Sequence, residues 1–200
     1  MCIILYKPKG INLKKEIYQN CFENNKDGAG FIVREKTGEL KLEKGFFSFQ
    51  DFWEHFQPNQ QKQAIVHFRI TTHGETDQEN CHPFWLKENK LAFAHNGVMN
   101  NVDCSKDETK SDSWHFNVSI LQHLQEKLGE DFIYDKVLQI LISEFINQSR
   151  LAFIHEDGRV LIFNKEKGVT EDNVWFSNYS FHNWKATKKW KPIKKEYKTR

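Results

Sequence analysis

Two hundred residues carry 29 Lys and Arg against 27 Asp and Glu, with 38% hydrophobic and 28% charged residues. That length suits one domain with a core large enough to need no disulfide or metal staples. No stretch approaches the roughly 18 apolar residues of a membrane span, and the early apolar run at 2–6 is too short for the hydrophobic part of a secretory signal. A cytoplasmic protein is therefore expected.

The four cysteines stand at 2, 21, 81 and 104, too far apart for a small disulfide scaffold and without zinc-ligand spacing. Free thiols and no metal or other cofactor are the expectation. Aromatic residues are abundant, with 17 Phe and 6 Trp, so they should dominate the core.

In chain order, residues 2–6 read as a strand. Residues 12–25 place Leu13, Ile17 and Cys21 four apart, which predicts a helix with Cys21 on its apolar face. Strand-like residues at 29–34 are followed by a Lys-Thr-Gly turn at 36–40, and Ser48 is placed to cap a helix over 48–56. Residues 63–70 and 91–95 read as strands. Between them, 71–90 is polar, contains glycine and is long for a connection, so a functional loop is expected.

Residues 111–129 predict one continuous helix. Trp114, Val118, Leu121, Leu124 or Gln125, and Leu128 step by threes and fours, with Ser111 as cap and Gly129 as terminator. A second helix over 133–146 should pack against it as an antiparallel partner. Residues 151–155 and 159–163 flank Glu-Asp-Gly and predict a hairpin. Without βαβ alternation, this order indicates mainly antiparallel sheets covered by helices, an α+β architecture.

One domain over 1–184 is expected, followed by a basic tail at 185–200 that holds seven Lys, one Arg and one Glu. Trp190 and Tyr197 interleave with those charges, which leaves contact with nucleic acid open. A solvated extension is the favoured reading, because no folded RNA-binding motif accompanies the tail.

The chemistry-bearing residues cluster in mid-chain. Arg69, Thr72 and His73 lie where a strand runs into a loop, Asn96-Gly97 ends another strand, and Asp112 opens the long helix. Each has an ordinary explanation. Asn-Gly is a strong hairpin turn, Asp112 suits a helix N-terminus, Arg69 suits a structural ion pair, and His73 suits a surface position. Their joint order is the specific signal.

Cys2, then Asn-Asn-Lys-Asp-Gly-Ala-Gly-Phe at 24–31, Arg69-Ile-Thr-Thr-His-Gly, His82-Pro83, His95-Asn-Gly and Ser111-Asp-Ser follow one another in the chain. This series resembles the glutaminase domain of the class II glutamine amidotransferases, which are N-terminal nucleophile hydrolases. The nearest likeness is to the glutaminase half of glucosamine-6-phosphate synthase, and it covers roughly 2–180. Ile3, residues 24–26 and Ile70 depart from the family's usual Gly, Arg-Gly-Pro and aromatic residue.

The resemblance implies a four-layer αββα sandwich and removal of Met1, leaving Cys2 as nucleophile with its own α-amine as base. A thiol near pKa ~8.5 and an amine near ~7.7–8.0 are suitably matched. It implies that the Asn96 amide and the Gly97 N–H stabilise the tetrahedral oxyanion. Arg69 would hold the glutamine α-carboxylate and Asp112 its ammonium, with polar contacts from Thr72 and His73. L-glutamine is the implied substrate, and ammonia would pass to a separate acceptor enzyme. Two alternatives are an amidohydrolase for another γ-glutamyl or acyl amide and a non-catalytic binding module. Retention of Arg69 with Asp112 argues against the first, and retention of Cys2 and Asn96 against the second.

Overall fold

The computed structural model describes residues 2–182, so the expected basic tail lies outside the described residues. One sheet is built from β1 (Ile3–Lys7), β2 (Ala29–Arg34), β3 (Leu40–Phe46), β4 (Ala64–Phe68), β9 (Val169–Glu171) and β10 (Val174–Phe176). The other holds β5 (Phe84–Lys87), β6 (Leu91–Asn96), β7 (Arg150–His155) and β8 (Val160–Phe163). Strand orders are β3-β2-β4-β1-β10-β9 and β5-β6-β7-β8, with every pair antiparallel.

Strand alternation produces three layers of core. Ile3 and Leu5 of β1 face α1 (Lys15–Asn24) and α2 (Phe49–Phe56), where Tyr18, Phe22, Phe31, Phe52, Phe56 and Phe68 cluster. Phe52 sits at the centre, 4.9 Å from the Phe68 ring and 5.4 Å from that of Phe56. Ile4 points the other way, to the seam between the sheets, where it meets Ile32, Ile65, Ala92, Ala94 and Ala152. Leu91 and Phe93 of β6 face α3 (Asp112–Phe116), α4 (Gln122–Leu128) and α5 (Lys136–Ile146). The result is the α+β, four-layer αββα arrangement, with the clustered phenylalanines in the two outer core layers and Ala92, Ala94 and Ala152 in the seam between the sheets.

Several expectations need correction. Residues 84–87 are strand β5, paired with β6, so the polar connection ends at Pro83 rather than at residue 90. The helix predicted over 111–129 is capped by Ser111 and ended by Gly129 as expected, but Asn117–Leu121 form a π-helical turn within it. The wider turn adds a residue and rotates the following face. Gln125 is therefore buried while Leu128 is 56% exposed. The helix expected from 133 begins at Lys136 behind an Asp135 cap, preceded by a 3-10 segment at Glu130–Tyr134. It meets the first helix through Phe116 and Phe145, stacked at 5.3 Å. The predicted 151–163 hairpin forms, with Leu151 opposite Phe163.

Candidate active site

The antiparallel register brings the chemistry together. Ile3 pairs with Phe68, so the start of β1 lies beside the end of β4 and Cys2 lies beside Ile70. The Ile70 N–H donates to Cys2 Sγ and the thiol donates to Ile70 C=O, each at 3.3 Å. Burial pushes the Cys2 thiol up, opposed by the Ile70 hydrogen bond and the Arg69 charge. From the facing sheet, β6 ends at Asn96 and turns at Gly97.

A cleft of about 260 Å³, counting the space open to solvent, is walled by Cys2, Arg69, Thr72, His73, Gly97 and Asp112. These are six of the residues singled out in the sequence. Ile70, His82, His95, Ser111 and Ser113 complete the wall. Asn96 stands behind it: fully buried, its Nδ2 donates to Ser177 Oγ at 2.7 Å, while its Oδ1 has no partner.

Arg69 is buried and shapes the loop that follows it, donating to Glu75 C=O at 2.8 Å and His73 C=O at 2.9 Å. A guanidinium has five N–H groups, so three are left uncommitted by these two carbonyls. Asp27, in the Asn-Asn-Lys-Asp-Gly run, supports the same loop by accepting from Thr71 N–H at 2.8 Å. Asp112 is also buried. Its Oδ1 accepts from the Ser113 N–H and hydroxyl, and its Oδ2 accepts from Met99 N–H at 2.8 Å, which ties down the chain after Gly97. Thr72 and His73 are exposed at the rim.

His82 and His95 of the wall form a buried group with His67, with ring centroids 4.2 Å apart for His67–His82 and 6.3 Å for His82–His95. His67 Nε2 donates to His95 C=O at 3.0 Å. Ser113 donates to Asp112, so its oxygen accepts from His95 Nδ1 at 2.7 Å. Both rings are thereby set in one neutral tautomer. Burial lowers the pKa of His67 to about 3 and that of His95 to about 4, and pushes His82 well down. Neighbouring rings and Arg69 add to the effect on His67 and His82, whereas Asp112 opposes it on His95.

Gly30 makes room for this cluster, since a Cβ there would lie 2.2 Å from His82 C=O. The sequence motifs contained His82 and His95, but nothing in their spacing announced that they gather with His67 in one buried group. Nor did Ser177 and Asn178 carry any signal of contact with residues near the chain's start.

The family described as Glutamine amidotransferases class-II matches over residues 55–172. Among curated relatives, the glutamine–fructose-6-phosphate aminotransferase (isomerizing) of Bacteroides thetaiotaomicron is 25% identical over 129 residues. That match takes in 58% of this chain and 21% of the relative. The same enzyme from Tropheryma whipplei strain Twist is 35% identical over 105 residues, 47% of this chain and 16% of the relative. The chain thus matches about a fifth of the length of these proteins.

Two solved structures share the fold. One is described as the allosteric regulatory enzyme of purine biosynthesis, with TM-score 0.59 and 19% identity. The other is the glutamine phosphoribosylpyrophosphate amidotransferase of B. subtilis, complexed with ADP and GMP, with TM-score 0.53 and 16% identity. Each match covers 88% of this chain and 41% of the other. With the family matched over more than half of its residues, the chain belongs to the class II glutamine amidotransferases, a family of enzymes.

Proposed function

We propose that this chain hydrolyses the side-chain amide of L-glutamine through a thioester at Cys2. The observation that carries this reading is that Cys2, Arg69 and Asp112 wall one small cleft. A thiol nucleophile there faces one cation and one anion, the pair a zwitterionic amino acid needs.

Removal of Met1 leaves the Cys2 α-amine to take the thiol proton. The Cys2 sulfur then attacks the glutamine amide carbon, and the oxyanion is held by Gly97 N–H and the Asn96 amide. The C–N bond breaks, and ammonia leaves with the proton returned by the α-amine. Water then cleaves the thioester, giving glutamate and the free thiol. Two of the N–H groups of Arg69 that its loop carbonyls leave uncommitted take the α-carboxylate, and the second lone pair of Asp112 Oδ2 takes the ammonium. A separate acceptor enzyme consumes the ammonia.

The test combines intact mass with ammonia release from glutamine, asparagine and γ-glutamyl compounds. The expected protein lacks Met1, releases ammonia preferentially from glutamine and loses that activity in Cys2→Ala. Active protein that retains Met1, or undiminished release by Cys2→Ala, would overturn the mechanism. Asn96→Ala should lower kcat by about 10²–10³-fold, the usual cost of one oxyanion donor.

A further inference from the structure

We propose that Ser177, the residue that follows β10, is a positioning residue for the site: it holds the Asn96 amide. The proposal rests on the reading of Asn96 as an oxyanion donor.

Ser177 is fully buried and bonded twice to one residue of β1. Its N–H donates to Ile4 C=O at 2.9 Å, and its Oγ accepts from Ile4 N–H at 2.9 Å. The same oxygen accepts from Asn96 Nδ2 at 2.7 Å, and Asn96 belongs to the facing sheet. One hydroxyl therefore joins the strand that carries Cys2 to the strand that carries Asn96. It is the only side-chain bond of Asn96 among the described residues, since Asn96 Oδ1 is buried without a partner.

The amide is therefore anchored at Ser177. A hydroxyl has two lone pairs and one proton. In the present arrangement both lone pairs are used, by Ile4 and by Asn96. Turning the amide by half a revolution lets the Ser177 proton donate to Oδ1 and carries Nδ2 to the place where Oδ1 is now unpartnered. Either orientation needs the hydroxyl, and a methyl group supports neither. Asn178 completes the clamp: its Nδ2 donates to Cys2 C=O at 2.7 Å, and its own Oδ1 accepts from Ser180 N–H at 2.9 Å. Consecutive residues thus hold the two sides of the cleft, one across the sheet seam and one back along β1.

The experiment is a double-mutant cycle on ammonia release with Asn96→Ala and Ser177→Ala, read as kcat and KM separately. Ser177→Ala should lower kcat about 10- to 100-fold with KM within about threefold, and Ser177→Thr, which keeps the hydroxyl, should restore most of it. Added to Asn96→Ala, Ser177→Ala should cost almost nothing more; losses that multiply would overturn the proposal. Ser177→Cys, close in shape but weak in hydrogen bonding, replaces Ser177→Ala if the latter does not fold, with the same expectation. A readout independent of turnover is the side-chain NH₂ resonance of Asn96, identified by its absence in Asn96→Ala. It should move in Ser177→Ala and stay near its native position in Ser177→Thr; an unmoved resonance in Ser177→Ala also overturns the proposal. Wild-type kcat in Asn96→Ala would instead sink the oxyanion reading while leaving the resonance test of Ser177 intact.

Discussion

Gly97 shows how little freedom the site leaves at single positions. Its φ is +151°, and a Cβ built there would lie 2.1 Å from Ser149 Oγ and 2.8 Å from Ser149 Cα. An alanine has both a conformational penalty and a contact with backbone that cannot rotate away. Gly97→Ala should therefore lower the thermal midpoint and abolish ammonia release together, measured by thermal unfolding and by glutaminase assay. Native-like values of both would show that Ser149 yields. The Asn-Gly pair advertised a turn in the sequence. The approach of Ser149, 52 residues later, was not legible, because it depends on how β7 enters beside β6.

At the scale of elements, the connection between β4 and β5 is held in place by buried polar side chains. Asn80 is fully buried; its Oδ1 accepts from Ser111 N–H at 2.7 Å, and its Nδ2 donates to Thr109 C=O at 2.8 Å and Glu75 C=O at 3.2 Å. It therefore links the Arg69 loop to the cap of the helix that begins with Asp112. Asn80→Leu keeps the number of side-chain heavy atoms but strands the buried Ser111 N–H, since Glu75 C=O still accepts from Arg69 and Thr109 C=O from Glu75 N–H, a cost of roughly 1–3 kcal/mol. Urea unfolding should show that loss, and KM for glutamine should rise as Arg69 and Asp112 lose register. A stability change under about 0.5 kcal/mol would mean that water replaces the amide at little cost. The long polar stretch was recognisable as a functional loop. Its end at Pro83 was not, because Phe84–Lys87 is a short strand whose pairing with β6 gives it its identity. The π turn at Asn117–Leu121 was similarly silent, since helical spacing reads the same on either side of it.

The whole molecule confines three neutral histidines between its sheets and the cleft. An unfolded histidine titrates near ~6.5, whereas His67 and His95 stay neutral down to about 3 and about 4. Below pH ~6.5 the unfolded chain therefore binds protons that the folded chain refuses. The stability these groups contribute is fully present above that pH and is lost as pH falls toward the folded values. By pH ~5 the loss is about 2 kcal/mol for each ring, with His82 adding in the same direction. Unfolding free energies from urea titrations at pH 7 and pH 5 should differ accordingly, and His67→Gln should reduce the difference. A flat profile between those pH values would contradict the burial argument.

Composition, periodicity and motif order by themselves determined the α+β class, most of the strands, the capped helices and the set of residues placed at strand ends. Those signals are local, or follow from the linear order of motifs, and so survive without coordinates. Tertiary structure alone decided that six of those residues share one cleft and that Asn96 stands behind it on Ser177. It also decided that His67, His82 and His95 gather in one buried group. Strand register and the seam between two sheets create such contacts, over separations of up to 176 residues for Cys2 and Asn178. No periodicity in the chain encodes a distance of that kind.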